Sequence, residues 1–357
     1  MSMKEYDDLA VQRMNTEKQV IKLGDLEVEV KPLPDGTTDR LDAKELKEIM
    51  ENPGWKEEPT LEMIRDSMGC FNYNLNSIEI YTGYQLIETS YGPVPVWSYF
   101  PRKTRRDKTR KAYLYLHGGG FFGGSVFAVE NQCRLIAERA NCVVFNIDYA
   151  LAPDQPYPAA GTQIYEILKY VYEHAQELGI DKDKIAIGGD SAGGNLSAVC
   201  AQMDRDFGTN YLKLQTLIYP KLTFTNYKLP GYSRNEEAFT IIEEQKQYLP
   251  GLIYLGCDQE NANSEKMYIQ GKEDVTHPYI SPAFGEKTGL CKTLLLLAEY
   301  DGLRLEGEFY AELLQKAGVP VRIIQYNGMR HAYYDKIGIL PQTEDTINEI
   351  AEEIKKM

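Results

Sequence analysis

The chain is 357 residues long and carries a formal charge of −14 at neutral pH. That balance argues against nucleic acid or an anionic membrane as partner, since both repel an acidic surface. No apolar run approaches the roughly 20 residues of a membrane span, and the N-terminus MSMKEYDDLAVQRMNTEKQVIKLGD has no apolar targeting core.

Six cysteines (Cys70, Cys133, Cys142, Cys200, Cys257 and Cys291) are scattered, with no C-x-x-C pair, and read as reduced thiols in a core. The four histidines show no metal-ligand spacing, so no metal or organic cofactor is implied. These features predict a soluble cytoplasmic protein. Whether copies of the chain form a homo-oligomer is left open.

Residues 1–80 are charged and loosely amphipathic and are expected to form a cap segment. Within them, 41–50 and 60–68 read as helices around a Pro53-Gly54 turn, and 26–30 alternates like a short strand. Residues 84–100 read as strand, turn and strand, a hairpin at the antiparallel edge of a larger sheet. The basic run RKTRRDKTRK (102–111) has no interleaved aromatics and reads as a solvated loop.

A regular strand–helix rhythm then begins: strand 113–116, helix 126–140, strand 143–148, helix 162–178. Strand 184–188 and its helix 195–203 follow, then strand 214–219. The rhythm breaks over 220–290, a Pro-, Tyr- and Asn-rich insertion with one helix near 243–255. It resumes with strand 293–298, helix 304–317, strand 319–326 and helix 342–356. Such alternation predicts an α/β fold over 81–357, with a mostly parallel central sheet flanked by helices and a cap insertion at 220–290. The many tyrosines are ascribed first to packing.

The chemistry centres on residues 184–206, KIAIGGDSAGGNLSAVCAQMDRD. A buried strand, a tight glycine-rich turn with Ser191 at its apex and a helix make the context of a G-x-S-x-G nucleophile elbow. Glycines two residues either side give a strained serine room, and the helix points its amino end at any developing negative charge. A serine nucleophile needs a base, and the base a carboxylate to hold its tautomer. Such groups sit on loops at the carboxyl ends of strands. Asp301 follows TLLLLAEY and His331 follows VRIIQYNGMR, in the order Ser, Asp, His. His174 lies in a charged helix and His277 in the insertion, so His331 is preferred as base. Glu299 and Glu306 compete with Asp301, which is preferred because Glu299 falls at the strand end and Glu306 on the next helix. The glycines of His117-Gly118-Gly119-Gly120 follow a strand directly and are read as presenting backbone N–H groups to an oxyanion, since a mere hinge would not need to sit at the sheet's carboxyl edge beside the elbow. The Ala192 N–H, next after the serine, supplies a further donor.

The motifs HGGGFFGGS (117–125), DYALAPDQPYPAA (148–160), GGDSAGGN (188–195), DGLRLEG (301–307) and GMRH (328–331) resemble the hormone-sensitive-lipase-like esterases, a branch of the α/β-hydrolase fold. The resemblance implies Ser191, Asp301 and His331 as catalytic triad, and an oxyanion hole from the Gly119, Gly120 and Ala192 N–H groups. It also implies that Asp148 ties down loops near the site. Ala150 stands where the family usually has Arg, Asp154 where it has Glu, and Ala332 where many members have Gly.

The activity expected is that of a serine carboxylesterase acting on a short-chain, small-molecule acyl ester. The alternatives are a carbohydrate O-acetyl esterase, an amide deacylase with the same triad, and a non-catalytic ligand-binding protein of this fold.

Overall fold

The computed structural model describes residues 4–52, 54, 57–69, 73–102, 110–225, 231–232, 236–253 and 265–357. In chain order, α1 (Asp8–Thr16) leads to β1 (Gln19–Leu23) and β2 (Leu26–Lys31), then to α2 (Ala43–Glu51) and α3 (Leu61–Ser67). Next come β3 (Ile80–Ile87), β4 (Val94–Pro101), β5 (Arg110–Leu116), α4 (Glu130–Ala140) and β6 (Val143–Ile147). They are followed by α5 (Ala159–Glu173), α6 (Ala175–Leu178), β7 (Ile180–Asp190), α7 (Ala192–Asp206) and β8 (Leu212–Ile218). After the short α8 (Leu249–Ile253) the chain closes with β9 (Lys292–Tyr300), α9 (Leu303–Lys316), β10 (Val321–Arg330) and α10 (Pro341–Lys356).

One sheet takes in ten strands, in the order β1-β2-β10-β9-β8-β7-β5-β6-β4-β3. From β2 to β6 all neighbours are parallel, and an antiparallel hairpin closes each edge. The inner strands are apolar on both faces because helices cover both. Along β5, Ala112, Leu114 and Leu116 join the core under α5, α7 and α9, while Tyr113 and Tyr115 join the core under α4 and α10. The β9 leucines alternate in the same way. Packing accounts for many tyrosines: Tyr99, Tyr113, Tyr115, Tyr310, Tyr326, Tyr333 and Tyr334 are fully buried.

The expected cap is corrected over residues 19–31. Val28 of β2 lies opposite Ile323 of β10, so the hairpin widens the central sheet, with Leu26 and Val28 facing the core. Helix α1 escaped the sequence reading because only Ala10 and Met14 of it are buried; Asp7 caps it by accepting the Ala10 N–H. Further along, Leu41, Leu46 and Ile49 pack with Phe239, Ile241, Leu252 and Ile253 of the insertion and with Tyr300 at the end of β9.

Other boundaries shift as well. Helix α4 begins at Glu130 rather than 126, and Asn146 donates to the Val126 carbonyl at 2.8 Å in the turn before it. The helix expected over 162–178 divides at His174. That near 243–255 is a 3₁₀ turn (Glu243–Tyr248) running into α8, with 254 and 255 outside the described residues. Most of the basic run, 103–109, is also outside them, and Arg110 belongs to β5. Cys133, Cys142, Cys200 and Cys291 are free thiols, whereas Cys70 and Cys257 lie outside the described residues. Among the described residues, no helix is long and apolar enough to cross a membrane, and no His, Cys, Asp and Glu cluster is gathered for a metal.

Candidate active site

The strand order reverses at β5: β6 lies on one side of it and β7 on the other. Loops leaving a parallel sheet at such a point diverge and open a crevice. The register places Leu116 of β5 beside Gly189 of β7, and Asp190 beside Ile218 of β8. The glycine loop and Ser191 therefore emerge as neighbours.

Ser191 sits at φ 53°, ψ −114°, in the strained region a nucleophile elbow requires. Its N–H donates to the Ile218 carbonyl at 2.9 Å, which fixes the turn to the adjacent strand. The two flanking glycines are required by close approach. A Cβ on Gly189 would lie 2.2 Å from the Leu116 carbonyl oxygen, and one on Gly193 would lie 2.0 Å from the same atom.

Both later strands deliver their residues to this turn. His331 Nε2 lies 3.0 Å from Ser191 Oγ, and its Nδ1 lies 2.7 Å from Asp301 Oδ2. Asp301 is fully buried, and its other oxygen accepts the Leu303 N–H at 2.9 Å. With Nδ1–H donated to the carboxylate, Nε2 presents its lone pair to the serine hydroxyl. The Tyr219 ring packs against the imidazole at 4.7 Å between centroids.

The rival residues are engaged elsewhere. Glu299 accepts the Gly328 N–H at 2.7 Å, and Glu306 holds Lys221 Nζ at 3.0 Å with the Leu222 and Thr223 N–H groups. The His277 ring accepts the Tyr279 N–H at 3.1 Å, and the His174 ring meets the Tyr170 carbonyl at 3.0 Å.

Gly119 and Gly120 take positive φ, 124° and 62°, in a turn where the Gly119 carbonyl accepts the Phe122 and Gly123 N–H groups. Ala192 opens α7 directly after Ser191. The 148–160 segment does tie down this loop, through Tyr149 and Ala152 rather than the expected Asp148: Tyr149 donates to the His117 carbonyl at 2.6 Å, and the Ala152 N–H to that of Phe121 at 2.9 Å. Burial pushes the His117 imidazole down to about 4, so it is neutral at pH 7.

Two further carboxyls, to which the sequence reading gave no role, are Asp190 beside Ser191 in the chain and Asp335 on the turn after His331. Asp190 accepts the Tyr115 hydroxyl at 2.7 Å, and its other oxygen would meet a Gly118 Cβ at 2.2 Å. Burial pushes Asp190 up, and burial together with the Asp190 charge pushes Asp335 up. The position of Asp190 beside Ser191 was the one available signal; its partner Tyr115 read simply as a core residue.

The family model described as alpha/beta hydrolase fold matches residues 113–335. Esterase LipI of Mycobacterium tuberculosis is 32% identical over 265 residues, covering 73% of this chain and 78% of that protein. An arylesterase of Saccharolobus solfataricus is 33% identical over 241 residues, covering 67% and 72%. The solved structure of a hyperthermophilic esterase from the archaeon Pyrobaculum calidifontis is similar with a TM-score of 0.75 at 32% identity, over 89% of this chain and 99% of that one. On these matches the chain belongs to the α/β-hydrolase family, within the branch of hormone-sensitive-lipase-like esterases.

Proposed function

We propose that the chain, a carboxylic-ester hydrolase of this family, cleaves short-chain acyl esters through a covalent acyl-enzyme on Ser191. The observation that carries the reading is the continuous contact from Ser191 Oγ to His331 Nε2 and from His331 Nδ1 to Asp301.

In this mechanism Ser191 Oγ attacks the carbonyl carbon as His331 Nε2 removes its proton. The buried Asp301 carboxylate keeps the imidazole oriented and stabilises its charged form. Negative charge on the carbonyl oxygen is received by the Gly119, Gly120 and Ala192 N–H groups, one such donor being worth about 10²–10³ in rate. The tetrahedral species collapses, His331 returns the proton to the departing alcohol, and Ser191 keeps the acyl group. Water activated by His331 then attacks the acyl-enzyme by the same route and frees the acid. The short-chain preference rests on the lack of a long apolar run that could cover an oil interface. Scattered cysteines without a C-x-x-C pair support a cytoplasmic setting.

Hydrolysis of p-nitrophenyl esters from acetate to palmitate tests this, with Ser191→Ala alongside. Turnover confined to short chains is expected, with a loss of about 10⁶-fold in kcat in the variant. Undiminished turnover by Ser191→Ala would sink the mechanism, and rates rising toward palmitate the chain-length assignment. Faster cleavage of acetylated sugars or arylamides than of alkyl esters would move the substrate class.

A further inference from the structure

Two helices of the N-terminal segment grip the two loops on which this reading of the site depends. On α2, Glu45 is fully buried, and its Oε2 accepts from Arg330 Nε at 2.6 Å and from Lys336 Nζ at 2.6 Å. Glu48, one turn on, pairs with Lys336 at 2.7 Å and with Arg330. Arg330 immediately precedes His331, and Lys336 closes the turn after it. The Asp42 N–H, at the start of the same helix, donates to the Gly328 carbonyl at 3.0 Å. Burial drives the Arg330 guanidinium down, but Glu45 and Glu48 outweigh it and hold Arg330 charged.

On α3, Arg65 Nε donates to the Phe122 carbonyl at 2.6 Å, while Nη2 donates to the Ala152 carbonyl at 2.8 Å and to Asp154 at 3.1 Å. Phe122 lies on the loop of Gly119 and Gly120, and Ala152 anchors that loop from the other side. Met68 closes against it, since a Cβ on Gly123 would lie 2.5 Å from Met68 Sδ. A guanidinium fork that spans two carbonyls and a carboxylate sets a loop more firmly than a point charge could.

We propose that Glu45, acting through Arg330 and Lys336, is a positioning residue for His331, and that Arg65 is a positioning residue for the glycine loop. The N-terminal segment thereby holds base and oxyanion donors in one frame; the assignment rests on the Ser191–His331–Asp301 reading. Charge removal at Glu45 leaves the two cations beside His331 with the half-buried Glu48 as their remaining carboxylate, and the loop shifts toward Glu48 and water to rebalance them. A shift of about 1 Å at a reacting group can cost on the order of 10²-fold in rate.

The test is steady-state kinetics on p-nitrophenyl butyrate for Glu45→Gln and Arg65→Met, below each variant's melting temperature. Each is expected to lose about 10- to 100-fold in kcat, with KM changed by no more than about two-fold. A lowered melting temperature with parental kcat would show a purely structural role and overturn the proposal. Should Glu45→Gln not fold, the half-buried Glu48→Gln stands in for α2, with a loss of about two- to five-fold in kcat expected and parental kcat overturning that arm. Full activity in Ser191→Ala would instead remove the underlying reading. If the parent protein cleaves no ester, the His331 imidazole resonance in NMR decides: it moves in Glu45→Gln if α2 positions the loop, and an unmoved resonance overturns the proposal.

Discussion

Ser191 adopts a backbone conformation that side-chain-bearing residues avoid, and the residues around it are chosen to permit that. Gly193 lies on the first turn of α7, where an alanine would ordinarily strengthen a helix. Here its missing methyl is the space occupied by the Leu116 carbonyl. Gly193→Ala is therefore expected to push α7 off β5, cost about 1–3 kcal/mol of stability by overpacking and lower kcat/KM by on the order of 10²-fold as Ser191 moves. Thermal unfolding and ester kinetics on the purified variant check both effects; a variant with parental activity would show that α7 can shift without carrying the serine along.

Strands β9 and β10 end on the loops of Asp301 and His331, and one buried carboxyl joins them. Glu299, on β9, accepts the Gly328 N–H of β10 at 2.7 Å. Burial pushes its carboxyl from 4.5 up to about 7, against the pull of that N–H and of Arg304. The folded protein thus holds a proton that the unfolded chain releases between those two values. The stability this group contributes is fully present below pH 4.5 and is lost as pH rises through 7. Glu299→Gln keeps the acceptor and has no charge to bury. Its melting temperature is expected to exceed the parent's at pH 8.5 by an amount equivalent to on the order of 2 kcal/mol, and to show no such gain at pH 4.5. Scanning calorimetry at both pH values checks this; an equal difference at the two would remove Glu299 as the cause.

At the scale of the molecule, the ends of the chain are joined by charge. Lys31 of β2 is fully buried and pairs with Asp345 at 3.0 Å and Glu349 at 2.7 Å on α10, while Tyr326 donates to Asp345. Arg322 of β10 extends the group to Glu29 and Glu349. Lys31→Met would leave two interior carboxylates short of a cation. A loss of about 3 kcal/mol is expected, toward the low end for breaking a buried pair because Arg322 still holds Glu349. Urea unfolding at neutral pH measures it, and a variant as stable as the parent would show that water reaches the site.

Local patterns carried much of the reading. The Gly-Asp-Ser-Ala-Gly turn, the glycines after β5, and Asp301 and His331 at strand ends were all legible because a strand–turn–helix unit encodes itself within a few residues. The mostly parallel sheet followed from the strand–helix alternation. Other features were decided only when distant segments met. Val28 joins the sheet because β10 presents an open parallel edge to it, and no local pattern distinguishes that from a cap. Glu45 reads as an ordinary charge on an amphipathic helix until Arg330 and Lys336, far along the chain, are folded against it. Arg65 likewise finds the carbonyls of Phe122 and Ala152 only in three dimensions. The sequence by itself determined the candidate reacting groups and the order of the inner helices and strands, since those are properties of short stretches. Tertiary structure decided what holds those groups in place, because a buried charge is stable only where its partners are brought to it.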